Sequence, residues 1–569
     1  MGGVNLKERF EGFVNNRWLV LVAAMWIQSC TGTGYLFGSI SPVIKASLNY
    51  NQRQLSKLGV ATDLGGSIGF LAGTLSEILP FWAVLLLGAF HNLVGYGWLW
   101  LIVSGKAPVL PLWAMCALIF VGSNGQTYFN TAVLVSCVHN LPNSRGPVVG
   151  ILKGFTALSG AVLTQIYTAI NFPDQASLIF MLALGPSLVV VAFMFIIRPV
   201  EGHKQVRPSD GLSFAFIYSV CLLLAAYLMG IILLEDLGTV SHNLVTVFTV
   251  ILFVLIFIPV LLCFREEPSN PDQEVLLPKT EQLEAGNTDW NSAEHGVVCT
   301  EVEEEKPEEV DSPMAVGVKR RRGPLIGEDF TLMQTLISAD FWIIMFSLLL
   351  GSGSGLTVID NLGQMSQSLG YDNAHIFVSV ISVWNFLGRI GGGSVSEIIV
   401  RDHAYPRPIA IAVAQLVMVV GHVFFAMGWP GAMYIGTLLV GLCYGAHWAI
   451  VPATASELFG LKKFGALYNF LCLASPAGTL IFSGVIASSI YDHEAEKQAR
   501  QRHMQPRMSD SILSEMFGVD EPPKCEGSIC FFLSSMIMSG FCIVAAGLSM
   551  ILVYRTKTVY AHLYGKSRT

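Results

Sequence analysis

The feature that most constrains this chain is a series of long, unbroken apolar runs. Fourteen of them can be read from the sequence, in a pattern of six, two and six. As α-helices, runs of this length cross the roughly 30 Å of hydrocarbon in a bilayer. The strands of a membrane β-barrel alternate apolar and polar residues, so continuous runs exclude that class. The sequence therefore predicts an all-α polytopic membrane protein with about 14 transmembrane helices.

The composition leads to the same class. Of 569 residues, 53% are hydrophobic and only 13% are charged. A soluble protein of this length needs far more charge to cover its surface. The predicted spans lie near residues 17–46, 55–78, 80–103, 109–139, 145–170, 174–197, 211–234, 243–264, 340–364, 374–398, 408–428, 431–451, 463–490 and 527–554.

The segment between the eighth and ninth runs has a different composition. Residues 301–311 are acidic and poor in aromatic side chains, so they cannot bury enough apolar surface to fold. Lys319–Arg322 then places positive charge close to the next span. We interpret residues 265–339 as a cytoplasmic acidic disordered loop that ends in an interfacial helix around Glu328–Leu336. The loop is either a solvated linker with a lipid-headgroup anchor or a docking site for a cytoplasmic partner or kinase.

The runs divide the chain into four predicted regions. These are an N-terminal six-helix bundle in residues 1–200, an inserted transmembrane hairpin in 201–264, the loop in 265–339 and a C-terminal six-helix bundle in 340–569. Placing the N-terminus in the cytoplasm puts most Lys and Arg residues there, as the positive-inside rule requires, and the C-terminus on the same side. The plasma membrane and an endomembrane (vacuole or ER) both remain open. Cys525 and Cys530 would share a non-cytoplasmic loop, either free or joined by a disulfide.

The two six-run blocks carry matching small-residue positions. The matches in register are Gly73–Glu77 with Gly393–Glu397, Gly32–Gly34 with Gly353–Gly355, and Gly146 and Gly160 with Gly465 and Gly478. Small residues allow helices to approach closely. Duplicated halves are typical of transporters in which two bundles rock around a central binding site.

These features resemble the major facilitator superfamily, with twelve core helices in two six-helix halves around a central cavity. Gly73-x-x-Ser-Glu77 and Gly393-x-x-Ser-Glu397 look like its signature in loops 2–3 and 8–9, an acid followed by basic residues, although the first copy lacks the basic residues. The resemblance implies gating roles for Glu77 and Glu397. Nearly the whole chain further resembles the plant nodulin-like family, through Arg17-Trp18, Gly32–Gly38, Ser352–Leu356, Ile359–Gln364, Trp384–Glu397 and Ser456–Gly460.

The sharpest candidate for solute binding is Asn385-x-x-x-Arg389, two residues one helical turn apart on one face. The pair is similar to the Asp-x-x-x-Arg of monocarboxylate carriers, which implies that Arg389 binds a substrate carboxylate through its planar guanidinium. Asn385 replaces the acid, so a proton relay of that kind is lost. The alternative is that Arg389 bonds the Ser396–Glu397 side or a helix C-terminus.

Other polar residues within the runs are also candidates, because such groups are costly in a membrane. Asp63 is either a proton-coupling group or a buried acid bonded to neighbouring hydroxyls. Asp360 is expected to stabilise an outer gate, and Lys153 to be structural, with its ammonium reaching toward the cytoplasm. The remaining side chains either line a solute site or bond helix to helix; they are Gln28, Tyr35, Asn124, Tyr128, Tyr444 and His447.

The sequence contains no motif that supports enzymatic chemistry: no phosphate-binding loop, no zinc spacing and no nucleophile with a paired base. No cofactor, metal or nucleic-acid partner is predicted. The prediction is a secondary active transporter in the lipid bilayer that moves a small organic solute, most simply a carboxylate anion, by alternating access. The alternatives are a non-transporting sensor or scaffold that signals through the central loop, and a carrier of a neutral or cationic solute.

Overall fold

The computed structural model describes residues 15–32, 36–50, 52–170, 175–200, 210–237, 241–264, 327–371, 374–504 and 525–564. The predicted disordered loop as far as residue 326, with its basic cluster Lys319–Arg322, lies outside the described residues. So does Tyr35.

Eight helices form the first half. They are α1 (Arg17–Gln28), α2 (Phe37–Leu48), α3 (Gln52–Ser67), α4 (Phe70–Ile78), α5 (Phe81–Val103), α6 (Leu112–Asn140), α7 (Arg145–Ile170) and α8 (Gln175–Phe193). The second predicted span is interrupted between α3 and α4, where glycines weaken helical structure. Asn124 of α6 supports this break, since its Nδ2 donates to the carbonyl oxygens of Gly65 (3.0 Å) and Ile68 (2.7 Å).

Two further helices, α9 (Asp210–Leu237) and α10 (His242–Phe257), follow the first half and pack against it. Arg17 of α1 forms a buried ion pair with Asp210. Trp26 Nε1 donates to the carbonyl oxygen of Ile256 (3.0 Å). Apolar side chains of both helices belong to the same hydrophobic cluster as those of α1, α6 and α7. Helix α9 also lies against α13 of the second half.

The second half begins with a short helix and continues with longer ones. They are α11 (Leu332–Ile337), α12 (Ala339–Ser368), α13 (Ala374–His403), α14 (Pro408–Met427), α15 (Ala432–Phe459), α16 (Phe464–Cys472), α17 (Ala474–Ile481), α18 (Ser488–Met504) and α19 (Ile529–Tyr564). Helix α11 begins with a capping box formed by Thr331 and Gln334. Cys525 and Cys530, the second residue of α19, form a disulfide, which decides a pairing that the sequence left open.

Eleven helical stretches of the described residues are long and apolar enough to cross a membrane. Helix α1 is apolar but shorter. Large apolar side chains on their outward faces, such as Phe90, Leu222, Val250 and Ile543, are exposed in the isolated chain. Such faces suit hydrocarbon rather than water. The protein is an integral multi-pass membrane protein.

The two halves meet along two seams lined by glycine. In the α7–α13 seam, a methyl group on Gly393 would lie 2.4 Å from the carbonyl oxygen of Gly146. In the α4–α16 seam, a methyl group on Gly73 would lie 2.7 Å from the carbonyl oxygen of Gly465. Only glycine permits such close backbone contact. The glycines of the repeated motifs thus each face a glycine of the opposite half, which is the pairing expected of a duplicated structure.

Candidate solute site and latch

The central polar cluster is built on Arg389 of α13, which points across the α7–α13 seam. Arg389 Nε donates to Asn385 Oδ1 (2.9 Å), one turn away on the same helix. Its Nη1 donates to the carbonyl oxygen of Lys153 on α7 (2.7 Å). Only 3% of Arg389 is exposed. The guanidinium therefore lies buried between the halves; its solute-binding role stays a prediction.

Lys153 brings a second cation to this cluster. Its Nζ donates to Asn130 Oδ1 of α6 (2.9 Å) and to the hydroxyl of Tyr468 on α16. The residue is 4% exposed, and its side chain interacts electrostatically with that of Arg389. The expectation that this ammonium reaches toward the cytoplasm is therefore wrong. The sequence held a signal for this inward orientation. Lys153 lies seven residues after Gly146, on the helical face that meets the opposite half.

Gln28 extends the cluster to α1. Its Nε2 donates to Asn130 Oδ1 (2.9 Å), and its Oε1 accepts from Thr31 Oγ1 (2.8 Å). Asn130 Nδ2 in turn donates to the Tyr468 hydroxyl (3.1 Å). Side chains from α1, α6, α7, α13 and α16 thus converge. Of the predicted site residues, Arg389, Asn385 and Gln28 are brought together here.

The chemistry of the cluster favours an electron-rich ligand. A lysine ammonium and a guanidinium only donate hydrogen bonds. The indole ring of Trp448 lies 5.9 Å from Lys153 Nζ, and its buried Nε1–H has no hydrogen-bond partner among the described residues. Buried polar groups are rarely left unpaired. The donors of this cluster suit an anion.

Three other predicted site residues, Asn124, Tyr128 and His447, lie elsewhere, and a fourth, Tyr444, adjoins the cluster through Trp448. Asn124 supports the α3–α4 break. Tyr128 packs within the first half, with its ring centroid 5.0 Å from that of His91. In the second half, Tyr444 packs on Trp448, and His447 Nδ1 lies 2.7 Å from the carbonyl oxygen of Cys443. These four positions have local packing or hydrogen-bonding contacts within one half.

Asp63 and Asp360 lie on opposite halves, on α3 and α12. Both side chains are exposed, although each belongs to an apolar helical stretch. Their carboxylates interact electrostatically with each other. Their exposure suits groups that face a polar cleft rather than hydrocarbon.

Glu397 is the centre of a charged cluster at the end of the α7–α13 seam. Its Oε2 accepts from Arg407 Nη2 (2.9 Å) and from the backbone N–H of Gly146 across the seam (3.3 Å). Its Oε1 accepts from Arg401 Nε (2.8 Å), and Arg401 also donates to the carbonyl oxygen of Asn143 in the other half. We call this group, together with Glu457, the charged latch. Arg407 is fully buried, and its Nε donates to Glu457 Oε2 (2.9 Å).

Glu77 occupies the equivalent place at the end of the α4–α16 seam. Its Oε2 lies 2.5 Å from Lys463 Nζ. The first motif copy has no basic residues after it, and the structure supplies the cation from the opposite half instead. Lys463 is 40% exposed, so this pair is more solvated than the Arg407 pairs of the charged latch.

Comparison with known proteins agrees with this architecture. The Nodulin-like family model matches residues 17–264, and the model of the NFD4 C-terminal domain matches residues 325–519. The chain belongs to the nodulin-like family of the major facilitator superfamily. Protein NUCLEAR FUSION DEFECTIVE 4 of Arabidopsis thaliana is 27% identical over 557 residues, 96% of this chain and 90% of that protein. The uncharacterized MFS-type transporter YhjX of Escherichia coli is 28% identical over 29% of this chain and 40% of its own length.

Solved structures share the fold at low sequence identity. A bacterial homologue of the iron transporter ferroportin, in an outward-facing state, has a TM-score of 0.52 at 10% identity and covers 95% of this nodulin-like chain and 99% of its own. A double tryptophan mutant of XylE has a TM-score of 0.52 at 12% identity, covering 98% and 99%. The chain therefore has the all-helical major facilitator fold.

Proposed function

We propose that this nodulin-like protein is a secondary active transporter that moves a small organic carboxylate by alternating access. The observation that carries the proposal is Arg389, a buried guanidinium that bonds the opposite half across the α7–α13 seam. A guanidinium matches the two oxygens of a carboxylate. A group held between the halves is well placed to respond when they move apart.

The transmembrane arrangement that we propose has fourteen helices and cytoplasmic termini. To the eleven apolar stretches it adds a broken first span, α1 with α2, and the more polar α6 and α13. With 29 and 30 residues, α6 and α13 exceed the roughly 20 residues that a membrane span requires. The bundles then occupy residues 1–200 and 340–569, and α9 and α10 form a membrane hairpin within 201–264. The many cations near the charged latch support a cytoplasmic location for that end.

In this proposal the charged latch closes the cytoplasmic side of the solute site. Glu397 and Glu77 act as gating residues, because each bonds a group of the opposite half. Asp360 is proposed to act at the opposite gate, and Asp63 to carry the coupling proton. Both side chains are exposed although each belongs to an apolar helical stretch, and such exposure supports a polar cleft at these positions.

The test is uptake of labelled carboxylates by the purified protein in lipid vesicles, with and without a pH gradient. Arg389→Gln should lower uptake at least tenfold, which is about 1.4 kcal/mol of lost binding or transition-state stabilisation. Arg389→Lys should restore part of it, because the charge returns without the planar fork. The matched control is Arg500→Gln on α18, an exposed arginine far along the chain from the seam. Unchanged uptake in both Arg389 variants would refute the anion assignment.

A second candidate function is a sensor or scaffold that signals through residues 265–339. One contact favours it: Asp329 Oδ1 accepts from the backbone N–H groups of Leu461 (3.0 Å) and Lys462 (3.1 Å) at the start of α16. The end of the loop is thus bonded to the helix that carries the Glu77–Lys463 seam contact. Deleting residues 270–318 separates the two functions. A transporter retains solute uptake after the deletion, whereas a scaffold loses its output.

A further inference from the structure

Lys153 differs from two other buried cations, Arg17 and Arg407, in its surroundings. Arg17 is paired with Asp210, and Arg407 with Glu397 and Glu457. Within the described residues, the partners of the Lys153 ammonium are the uncharged oxygens of Asn130 and Tyr468 and the faces of two aromatic rings. An ammonium has three N–H donors, and these contacts use two of them. A buried cation is strongly stabilised only by an opposite charge.

The ammonium and the guanidinium occupy different parts of the cluster. Arg389 Nη1 lies at the backbone of Lys153 (2.7 Å from its carbonyl oxygen). The Lys153 side chain extends from that backbone to Asn130 and Tyr468, on α6 and α16. The two charged groups therefore have different hydrogen-bond partners on different helices, and each can take an acidic group of its own.

We propose that the solute is a compact dianion, with one carboxylate on Arg389 and the second acidic group on Lys153 and the indole N–H of Trp448. This inference rests on the proposed function. A dianion neutralises both cations when the site is loaded, whereas a monoanion leaves one positive charge buried. Lys153 then binds the second acidic group of the solute and determines the specificity for dianions over monoanions. Arg389 binds the first carboxylate.

The site joins three parts of the bundle through this ligand. Lys153 belongs to the first half, and Arg389 and Trp448 belong to the second. A dianion bound between them holds α7 against α13 and α15. A dianion bound to both cations thus stabilises the conformation in which the two halves are in contact at the solute site. A solute with a single charge stabilises it less.

The experiment compares two probes of the same length and shape in reconstituted vesicles, succinate and its monoamide succinamate. The wild-type protein should transport succinate with a kcat/KM about tenfold or more above that of succinamate, the effect of one further charge pair in a buried site. Lys153→Gln keeps a hydrogen-bonding group but removes the charge. It should abolish the preference by lowering the kcat/KM for succinate at least tenfold more than the kcat/KM for succinamate. Trp448→Phe, which keeps the ring and removes the N–H, should reduce the preference by a smaller factor.

Controls and outcomes separate this inference from the proposed function. Lys153→Arg should retain the preference, and so should Lys106→Gln, which removes an exposed lysine packed on Trp100 (4.1 Å from the ring centroid). Equal wild-type uptake of succinate and succinamate overturns the dianion while leaving carboxylate transport intact, and it needs no variant to fold. A preference that survives in Lys153→Gln overturns the role of Lys153. Failure of malonate, succinate, glutarate and every monocarboxylate tested to enter overturns the proposed function itself.

Discussion

The two seams between the halves have one backbone design and very different chemistry. Gly393 meets Gly146 in the α7–α13 seam, and Gly73 meets Gly465 in the α4–α16 seam. Four residues before the motif glycine, one seam has Arg389 and the other has Gly69. Seven residues after the facing glycine, one has Lys153 and the other has Cys472. Both seams share the duplicated glycine contact. Only the α7–α13 seam has cations, Arg389 and Lys153, at these two positions.

This difference shows how binding and gating are connected. On α13, Arg389, Gly393 and Glu397 are spaced four residues apart and so lie along one helical face. The residue proposed to hold the solute, the glycine of closest contact and the acid of the charged latch therefore move together. The α4–α16 seam has the same close contact but ends in one partly exposed ion pair. It suits a hinge-like contact that opens with little electrostatic cost.

The largest effect is expected from Arg407→Met, which tests whether the charged latch contributes more stability than the other seam. The substitution leaves Glu457, 3% exposed, and Glu397 without their main cation. Removing one partner of a buried ion pair costs about 3–5 kcal/mol. We expect a large fall in the thermal unfolding temperature of the purified protein in detergent.

The control for that comparison is Lys463→Met at the end of the α4–α16 seam. Lys463 is 40% exposed and Glu77 13%, so the loss should exceed the roughly 0–1 kcal/mol of a fully exposed pair and stay below that of Arg407→Met. Equal losses of stability in the two variants would contradict the distinction between the seams.

A second prediction concerns the glycine contacts that the seams share. Gly393→Ala places a methyl group 2.4 Å from the carbonyl oxygen of Gly146, and Gly73→Ala places one 2.7 Å from that of Gly465. Each substitution should keep the halves apart at its own seam. Uptake should fall about tenfold, since small errors in helix placement cost this much. Gly391→Ala is the matched control on α13, because no atom lies within 4 Å of its added methyl group. A normal transport rate in Gly393→Ala would show that the halves do not need this contact.

The smallest effects are expected from neutralising the two motif acids. Glu397→Gln weakens bonds to Arg401, Arg407 and the Gly146 N–H together, so uptake should fall several-fold. Glu77→Gln affects one solvated pair and should change uptake by about twofold or less. Cysteine accessibility at the charged-latch end of α13 measures the same difference directly, through faster labelling in Glu397→Gln. Faster labelling in Glu77→Gln instead would reverse the ranking of the seams.

The sequence predicted the membrane class, the all-helical fold and the family. Hydropathy is a local property of a helix, and the motif Gly-x-x-Ser-Glu repeats within short windows, so both can be read without a partner. Asn385 and Arg389 were assigned to one helical face for the same reason. The family itself followed from such local motifs.

Tertiary structure decided which polar groups meet. Tyr468, which accepts a hydrogen bond from Lys153, is 315 residues away from it in sequence. Lys463, which pairs with Glu77, is 386 residues away. No local pattern encodes such pairs, because they depend on how α4, α7, α13 and α16 pack. Four other residues are, like Gln28, polar side chains within apolar runs, yet they have packing or hydrogen-bonding contacts within one half. They are Asn124, Tyr128, Tyr444 and His447. The sequence determined which segments enter the membrane, since each segment carries its own transfer free energy, and packing alone determined which buried charges face one another.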